Sequence, residues 1–166
     1  MTRNENLVIV LMGPAGSGKS TVGRAAAAMA GVTFMEGDDY HSRENVAKMA
    51  TGAGLTNEDR RPWVQAIGAA WAESGQRAAV LACSALNAEV RQMLASEFGA
   101  AMRPVLLDVP EDELLRRLQM REGHFAGPEF LAGQMAAMDD WQGVERLDGA
   151  GAPEALAEAV ATLFEG

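Results

Sequence analysis

Gly13-Pro14-Ala15-Gly16-Ser17-Gly18-Lys19-Ser20 decides how the rest of this chain is read. A glycine, four free positions, a glycine, a lysine and a hydroxyl residue form the pattern of a phosphate-binding P-loop. The glycines let the backbone take positive φ and turn several N–H groups toward phosphate oxygens. Lys19 adds a point charge for the β- and γ-phosphates, and the Ser20 hydroxyl is a ligand for Mg²⁺. The nucleotide-binding set is therefore Gly13, Ala15, Gly16, Ser17, Gly18, Lys19, Ser20 and Thr21, with Ser20 as the metal ligand. The loop implies ATP or another nucleoside triphosphate with Mg²⁺. It does not say what receives the phosphate.

The flanks have the arrangement the loop requires. Leu7-Val8-Ile9-Val10-Leu11-Met12 is a short apolar run rich in β-branched residues, which reads as a buried parallel strand. Thr21-Val22-Gly23-Arg24 and the alanine-rich stretch to Ala30 read as a helix, whose N-terminal dipole faces the same anion. Farther on, strands are expected at 7–12, 32–36, 78–83, 104–109 and, weakly, 144–147. Helices are expected at 19–30, 43–50, 57–74, 85–98, 110–121, 128–138 and 153–164. Strands that alternate with helices imply βαβ units, a parallel sheet and right-handed crossovers. Ligands in such sheets bind at the carboxyl ends of the strands.

The chain has 166 residues, enough for one domain with a substantial core. Its 48% hydrophobic and 22% charged content is that of a globular chain. A net charge of −9 argues against a nucleic-acid partner, which calls for a basic patch. No apolar run approaches a membrane span. Met1–Asn6 leads straight into the first strand without a secretory signal, and the lone Cys83 cannot form an internal disulfide. Together these set the expectation of a cytoplasmic protein with a small-molecule substrate and no membrane partner.

Polar residues recur just after the strands. Glu36-Gly37-Asp38-Asp39-Tyr40-His41 follows the second strand, and Asp38 is the candidate to accept the proton of an attacking hydroxyl or to hold a Mg²⁺-bound water. Asp39 alternatively caps the next helix. His41 either hydrogen-bonds a polyhydroxylated substrate or caps the helix from 43. Thr56 or Asn57 can N-cap the long helix. Arg60 and Arg61 then oppose its dipole, which points either to an anionic partner such as a substrate carboxylate on Arg60 or to ion pairs with Glu58 or Asp59. Trp63 and Trp71 share a face and read as core. Ser84 is placed to touch phosphate, substrate or metal-bound water, or to cap a helix. Arg117 and Arg121 lie four apart on one helical face before a break at Gly123. They fit either a closing lid that neutralises the transferring phosphoryl group or a basic face offset by Glu111, Asp112 and Glu113.

Taken together, the chain resembles the small bacterial-type gluconate kinases of the nucleoside-monophosphate-kinase-like fold. The resemblance runs from Val8 to about Met138 and rests on Gly13–Thr21, Gly37-Asp38 with His41, Asn45-x-x-Lys48-Met49 with Gly52, and Leu55. It continues through Asp59-Arg60-x-Pro62-Trp63, Cys83-Ser84-Ala85-Leu86 and Arg117-x-x-x-Arg121-x-Gly123-His124-Phe125. It implies one three-layer α/β P-loop kinase domain over 1–166: a five-stranded parallel sheet flanked by helices, a substrate-binding helical segment at about 40–75 and a lid at about 117–130. It also implies phosphate transfer from ATP to the 6-hydroxyl of D-gluconate, with Lys19, Asp38 and Arg121 catalytic. Arg117 would lie on the nucleotide, and His41, Ser84 and His124 on the substrate; Arg60 on the substrate carboxylate is read from its charge, not from the family pattern. The family is often dimeric, so a homodimer is a candidate assembly. Two positions depart from the family: Asn87 stands where a lysine is usual, and Val90 where a tyrosine precedes Arg91. Those departures keep two alternatives in view, a kinase of another polyhydroxy acid such as shikimate and an ATP-binding regulatory module without catalysis.

Overall fold

A computed structural model describes residues 6–120, 128–139 and 143–166. Five strands, β1 (Leu7–Met12), β2 (Thr33–Glu36), β3 (Ala78–Ala82), β4 (Met102–Asp108) and β5 (Glu145–Asp148), form one sheet in the order β2-β3-β1-β4-β5. Every pairing is parallel, with Leu7 opposite Ala78, Val8 opposite Met102, Thr33 opposite Ala79 and Val105 opposite Glu145. The helices are α1 (Lys19–Ala30), α2 (Arg43–Ala50), α3 (Asn57–Ser74), α4 (Ala88–Phe98), α5 (Glu111–Gln119), α6 (Pro128–Ala137) and α7 (Pro153–Thr162).

The central strand explains the three layers. Side chains of a strand alternate between faces, and Val8 through Met12 are all fully buried. Val8, Val10 and Met12 point into one core with Trp63, Ile67, Leu94 and Phe98 of α3 and α4. Ile9 and Leu11 point into the other, with Val22 and Ala26 of α1 and Ala157 and Val160 of α7. A strand buried on both faces needs the continuous apolar run that the sequence carries. Each fully buried Leu or Ile contributes about 1.5–3 kcal/mol. The alanines of α1 and α7 also have a packing role, because small side chains let these two helices lie close together. A third, smaller cluster of Val109, Leu114, Leu118 and Leu131 packs α5 and α6 under Ala15 of the P-loop.

The element order expected from the sequence holds, with shifted ends. α4 starts at Ala88 rather than 85, because Ala85 sits at φ +43°, outside helical space, and Asn87 caps the helix by accepting from the Val90 N–H at 3.0 Å. α5 ends at Gln119 with Met120 as its C-cap, short of the expected 121. β5 is real although its residues are mostly exposed, since it is an edge strand. Among the described residues no helix is long and apolar enough to cross a membrane.

Candidate active site

The P-loop joins the carboxyl end of β1 to α1. Gly13, Gly16 and Gly18 have φ of +151°, +86° and +89°, the region L side chains avoid. Gly18 is also the N-cap of α1 and provides no side-chain cap, so the first N–H groups of that helix open into the loop without a capping side chain. The Ser17 hydroxyl is 1% exposed and has no hydrogen-bond partner among the described residues. A buried hydroxyl with no protein partner beside uncapped helix amides suits a loop that binds an anion. Lys19 Nζ lies 3.5 Å from the Pro14 carbonyl oxygen, arched back over the loop. Ser20 follows in the first turn of α1, where an oxygen donor suits Mg²⁺. The residues present therefore fit a nucleotide phosphate with its metal.

Two distant side chains hold this loop. Arg117 of α5 donates from Nη1 to the carbonyls of Gly16 (3.1 Å) and Ser17 (3.4 Å) and from Nη2 to Gly149 O (3.0 Å). Its Nε donates to Glu113 at 3.1 Å. Arg116 also bonds Glu113, and the two arginines hold that carboxyl down at about 2. Gln134 of α6 accepts from the Ala15 N–H at 2.7 Å. Nothing local in the sequence marks Gln134 or Gly149, and both were missed there.

The opposite wall is built from β2, the short turn after it, and the first turns of α2 and α3. Gly37 packs so closely on β3 that a Cβ there would lie 2.5 Å from the Ala82 carbonyl oxygen. Trp63 of α3 donates from Nε1 to Gly37 O at 2.7 Å, and the His41 ring stacks on Trp63 with centroids 4.2 Å apart and planes 13° apart. Trp63 and Trp71 are buried in the core, as expected. His41 does not cap α2: Ser42 does, by accepting from the Asn45 N–H, so the capping alternatives for His41 and Asp39 fall. Burial pushes His41 below its ordinary value, with Arg60 pushing the same way and Asp38 opposing.

Thr56, rather than Asn57, caps α3 in a reciprocal capping box with Asp59. Lys48 donates to Asp59 at 2.6 Å and, with the Thr56 N–H, brings that carboxyl down to about 2. Arg61 pairs loosely with Glu58 (4.0 Å) and Glu89 (3.9 Å), the ion-pair alternative. Arg60 differs. It is half-buried, burial pushes its pKa down, and its described partner is the neutral Asn57 Oδ1 at 3.0 Å rather than a carboxylate.

These walls meet at the end of β3. Cys83 is buried there, and desolvation raises its thiol to about 12, which removes it as a nucleophile at neutral pH. Lys19, Asp38 and Glu36 all act on that thiol through space, as does Cys83 on Arg60. The P-loop lysine, the exposed Asp38 and the half-buried Arg60 thus each lie within electrostatic reach of Cys83, at the carboxyl edge of the sheet. Ser84 is partly exposed beside them and does not cap α4, a role that belongs to Asn87. Arg121 and His124 lie outside the described residues, as does the stretch 121–127 of the lid segment. The two departures have structural roles: Val90 is core, and Asn87 caps α4 while donating to Asn57 Oδ1 at 3.0 Å.

Residues 8–143 match the family described as an AAA domain. A gluconokinase of Gluconobacter oxydans is 37% identical over 163 residues, covering 95% of this chain and 90% of that one. The chain belongs to the gluconokinase family. The crystal structure of a gluconokinase from Sinorhizobium meliloti superimposes with a TM-score of 0.83 at 37% identity, over 98% of this chain and 96% of that chain. A shikimate kinase from Acinetobacter baumannii is more remote, with a TM-score of 0.54 and 22% identity over 97% of this chain and 94% of that one, a likeness of fold alone. Within the gluconokinase family, the Asp-Arg-x-Pro-Trp block acquires a physical meaning here: Asp59 closes the cap, Arg60 donates to Asn57, and Trp63 carries the His41 ring.

Proposed function

We propose that this chain phosphorylates the 6-hydroxyl of D-gluconate with ATP, giving 6-phospho-D-gluconate. One observation carries the reading: identity to gluconokinases spans the acceptor wall as well as the P-loop, and in that wall Arg60 is half-buried with no carboxylate partner among the described residues. A partly desolvated guanidinium whose described hydrogen-bond partner is a neutral amide favours an anionic ligand, and a sugar-acid carboxylate suits its planar donors.

Mg-ATP supplies the phosphoryl group and the divalent charge when bound. Lys19 and the N–H groups that open α1 bind and orient the phosphates, and the Ser20 hydroxyl holds the metal. Arg60 anchors the acceptor carboxylate, while His41 and Ser84 hydrogen-bond its hydroxyls. Asp38 accepts the proton of the attacking hydroxyl as its oxygen bonds to the γ-phosphorus and the bond from that phosphorus to the departing ADP oxygen breaks. Positioning and charge neutralisation provide the rate, with no covalent enzyme intermediate. Arg121 would complete the phosphoryl side, and His124 the acceptor side. We place the reaction in the cytoplasm, in keeping with a lone buried thiol.

The test is ADP release by purified protein with Mg-ATP and D-gluconate, beside shikimate and other sugar acids. Strong stimulation by gluconate alone is the expected result. ATP binding with no stimulation by any acid would overturn the reading, and stimulation by a different acid would reassign the acceptor.

A further inference from the structure

Asn45 is 7% exposed and carries a side-chain amide, so its hydrogen bonds have to be accounted for. Its Nδ2 donates to the Asp59 backbone carbonyl at 2.8 Å. That bond fixes which end of the amide is nitrogen, because a carbonyl oxygen there would face another carbonyl oxygen. The same Nδ2 lies 3.5 Å from His41 Nδ1. An NH₂ group has only donors, so the imidazole nitrogen facing it must be the acceptor. With Nδ1 as acceptor, the ring is neutral and its one proton sits on Nε2. Stacking on Trp63, itself tied to Gly37 O, fixes the ring plane.

We infer that Asn45 is a positioning residue that locks His41 as a neutral Nε2–H donor, and that this fixed donor selects an acceptor oxygen on the phosphate-accepting substrate, a hydroxyl or carboxylate oxygen of a polyhydroxy acid. The inference rests on the acceptor reading above for the identity of the substrate, but not for the state of the ring. The amide does two things at once. It sets the donor on His41, and through the Asp59 carbonyl it ties α2 to the first turn of α3, which carries Arg60. Lys48, one turn later on α2, ties the Asp59 carboxylate of the same turn. The Asn45-x-x-Lys48 spacing therefore registers two substrate donors, His41 and Arg60, against each other. The charged groups that face the ring are Asp38 from its own turn and Arg60 from α3, while α2 presents the neutral Asn45. Their opposed effects leave burial in control, which keeps the ring neutral below its ordinary 6.5.

The chain has two histidines, so ¹⁵N-imidazole NMR reads His41 directly once His124→Gln removes the other signal. At neutral pH the expected result is a protonated Nε2 and an unprotonated Nδ1. A proton on Nδ1, or signals averaged between the tautomers, overturns the inference. Asn45→Asp replaces the donor by an acceptor and should move the proton to Nδ1 or charge the ring. The KM for gluconate should then rise about tenfold, with the ATP KM changed by less than about twofold. An unchanged gluconate KM overturns the substrate-donor half of the inference. If Asn45→Asp does not fold, Asn45→Ala supplies the same reading through tautomer averaging. Failure of the otherwise intact protein to phosphorylate gluconate would remove the proposed acceptor while leaving the ¹⁵N result standing.

Discussion

Arg117 reaches across 101 residues of sequence to donate to the Gly16 carbonyl oxygen at 3.1 Å, and the same guanidinium holds Gly149 O at 3.0 Å. One rigid fork thus joins the back of the P-loop to the turn after β5. A lysine cannot reproduce that span, since it is a single point charge without the fork. Arg117→Lys and Arg117→Ala should both raise the ATP KM, by about tenfold to a hundredfold if one to two charge-assisted bonds are lost. The gluconate KM should change little. Steady-state kinetics with each substrate varied checks this, and equal losses for both substrates would contradict it.

Gly37 has a different constraint, which is steric. A Cβ there would lie 2.5 Å from the Ala82 carbonyl oxygen, and backbone cannot move aside as a side-chain tip can. Its own carbonyl receives the Trp63 indole N–H, so a shift of Gly37 carries the Trp63–His41 stack with it. Gly37→Ala should cost about 1–3 kcal/mol. At about 2–4 °C per kcal/mol this is a visible fall in Tm by calorimetry. The surviving folded enzyme should show a higher gluconate KM.

The P-loop, the buried central strand and the cap of α3 were legible because their signals are local. A glycine pattern, an apolar run and Thr56 three residues before Asp59 each fit within a few positions. β5 was faint, because an exposed edge strand reading Glu-Arg-Leu-Asp lacks the apolar pattern of a buried one. The capping alternatives for Ser84, His41 and Asp39 fell because the nearby Asn87 and Ser42 hold the helix ends. The tie from Gln134 to Ala15 spans 119 residues and that from Arg117 to Gly16 spans 101, and no window along the chain contains both ends. Arg60 stood out in the sequence as a charge opposing a helix dipole, and the structure adds that its described partner is neutral.

Acid should weaken the fold through two carboxylates whose pKa values folding lowers. Lys48 and the Thr56 N–H hold Asp59 at about 2, and Arg116 and Arg117 hold Glu113 at about 2, against ordinary values of 3.8 and 4.5. Both pKa values are lower in the folded state than in the unfolded one. Their contribution to stability is therefore complete above about pH 4.5 and disappears as pH falls toward 2. Both groups are partly open to solvent, so the amount is modest. Tm measured from pH 6 down to 3 should fall less steeply for Asp59→Asn and Glu113→Gln than for the parent. Parallel slopes would show that these pairs do not contribute.

Asn87 separates capping from site support. Its Oδ1 accepts from the Val90 N–H at 3.0 Å, and its Nδ2 donates to the same Asn57 Oδ1 that receives Arg60. Asn87→Ser keeps a capping oxygen but loses the NH₂ that braces Asn57. Asn87→Ala loses both. The alanine variant should lose about 1 kcal/mol of stability, seen as a lower Tm, and the serine variant little. Both should raise the gluconate KM by the same small factor, about twofold to fivefold, because Arg60 loses the same support in each. The family-typical Asn87→Lys should lose the cap as alanine does. A gluconate KM that tracks Tm across the three variants would mean that Asn87 acts only through α4, whereas a KM shift in the fully stable serine variant shows the bridge to Asn57 at work.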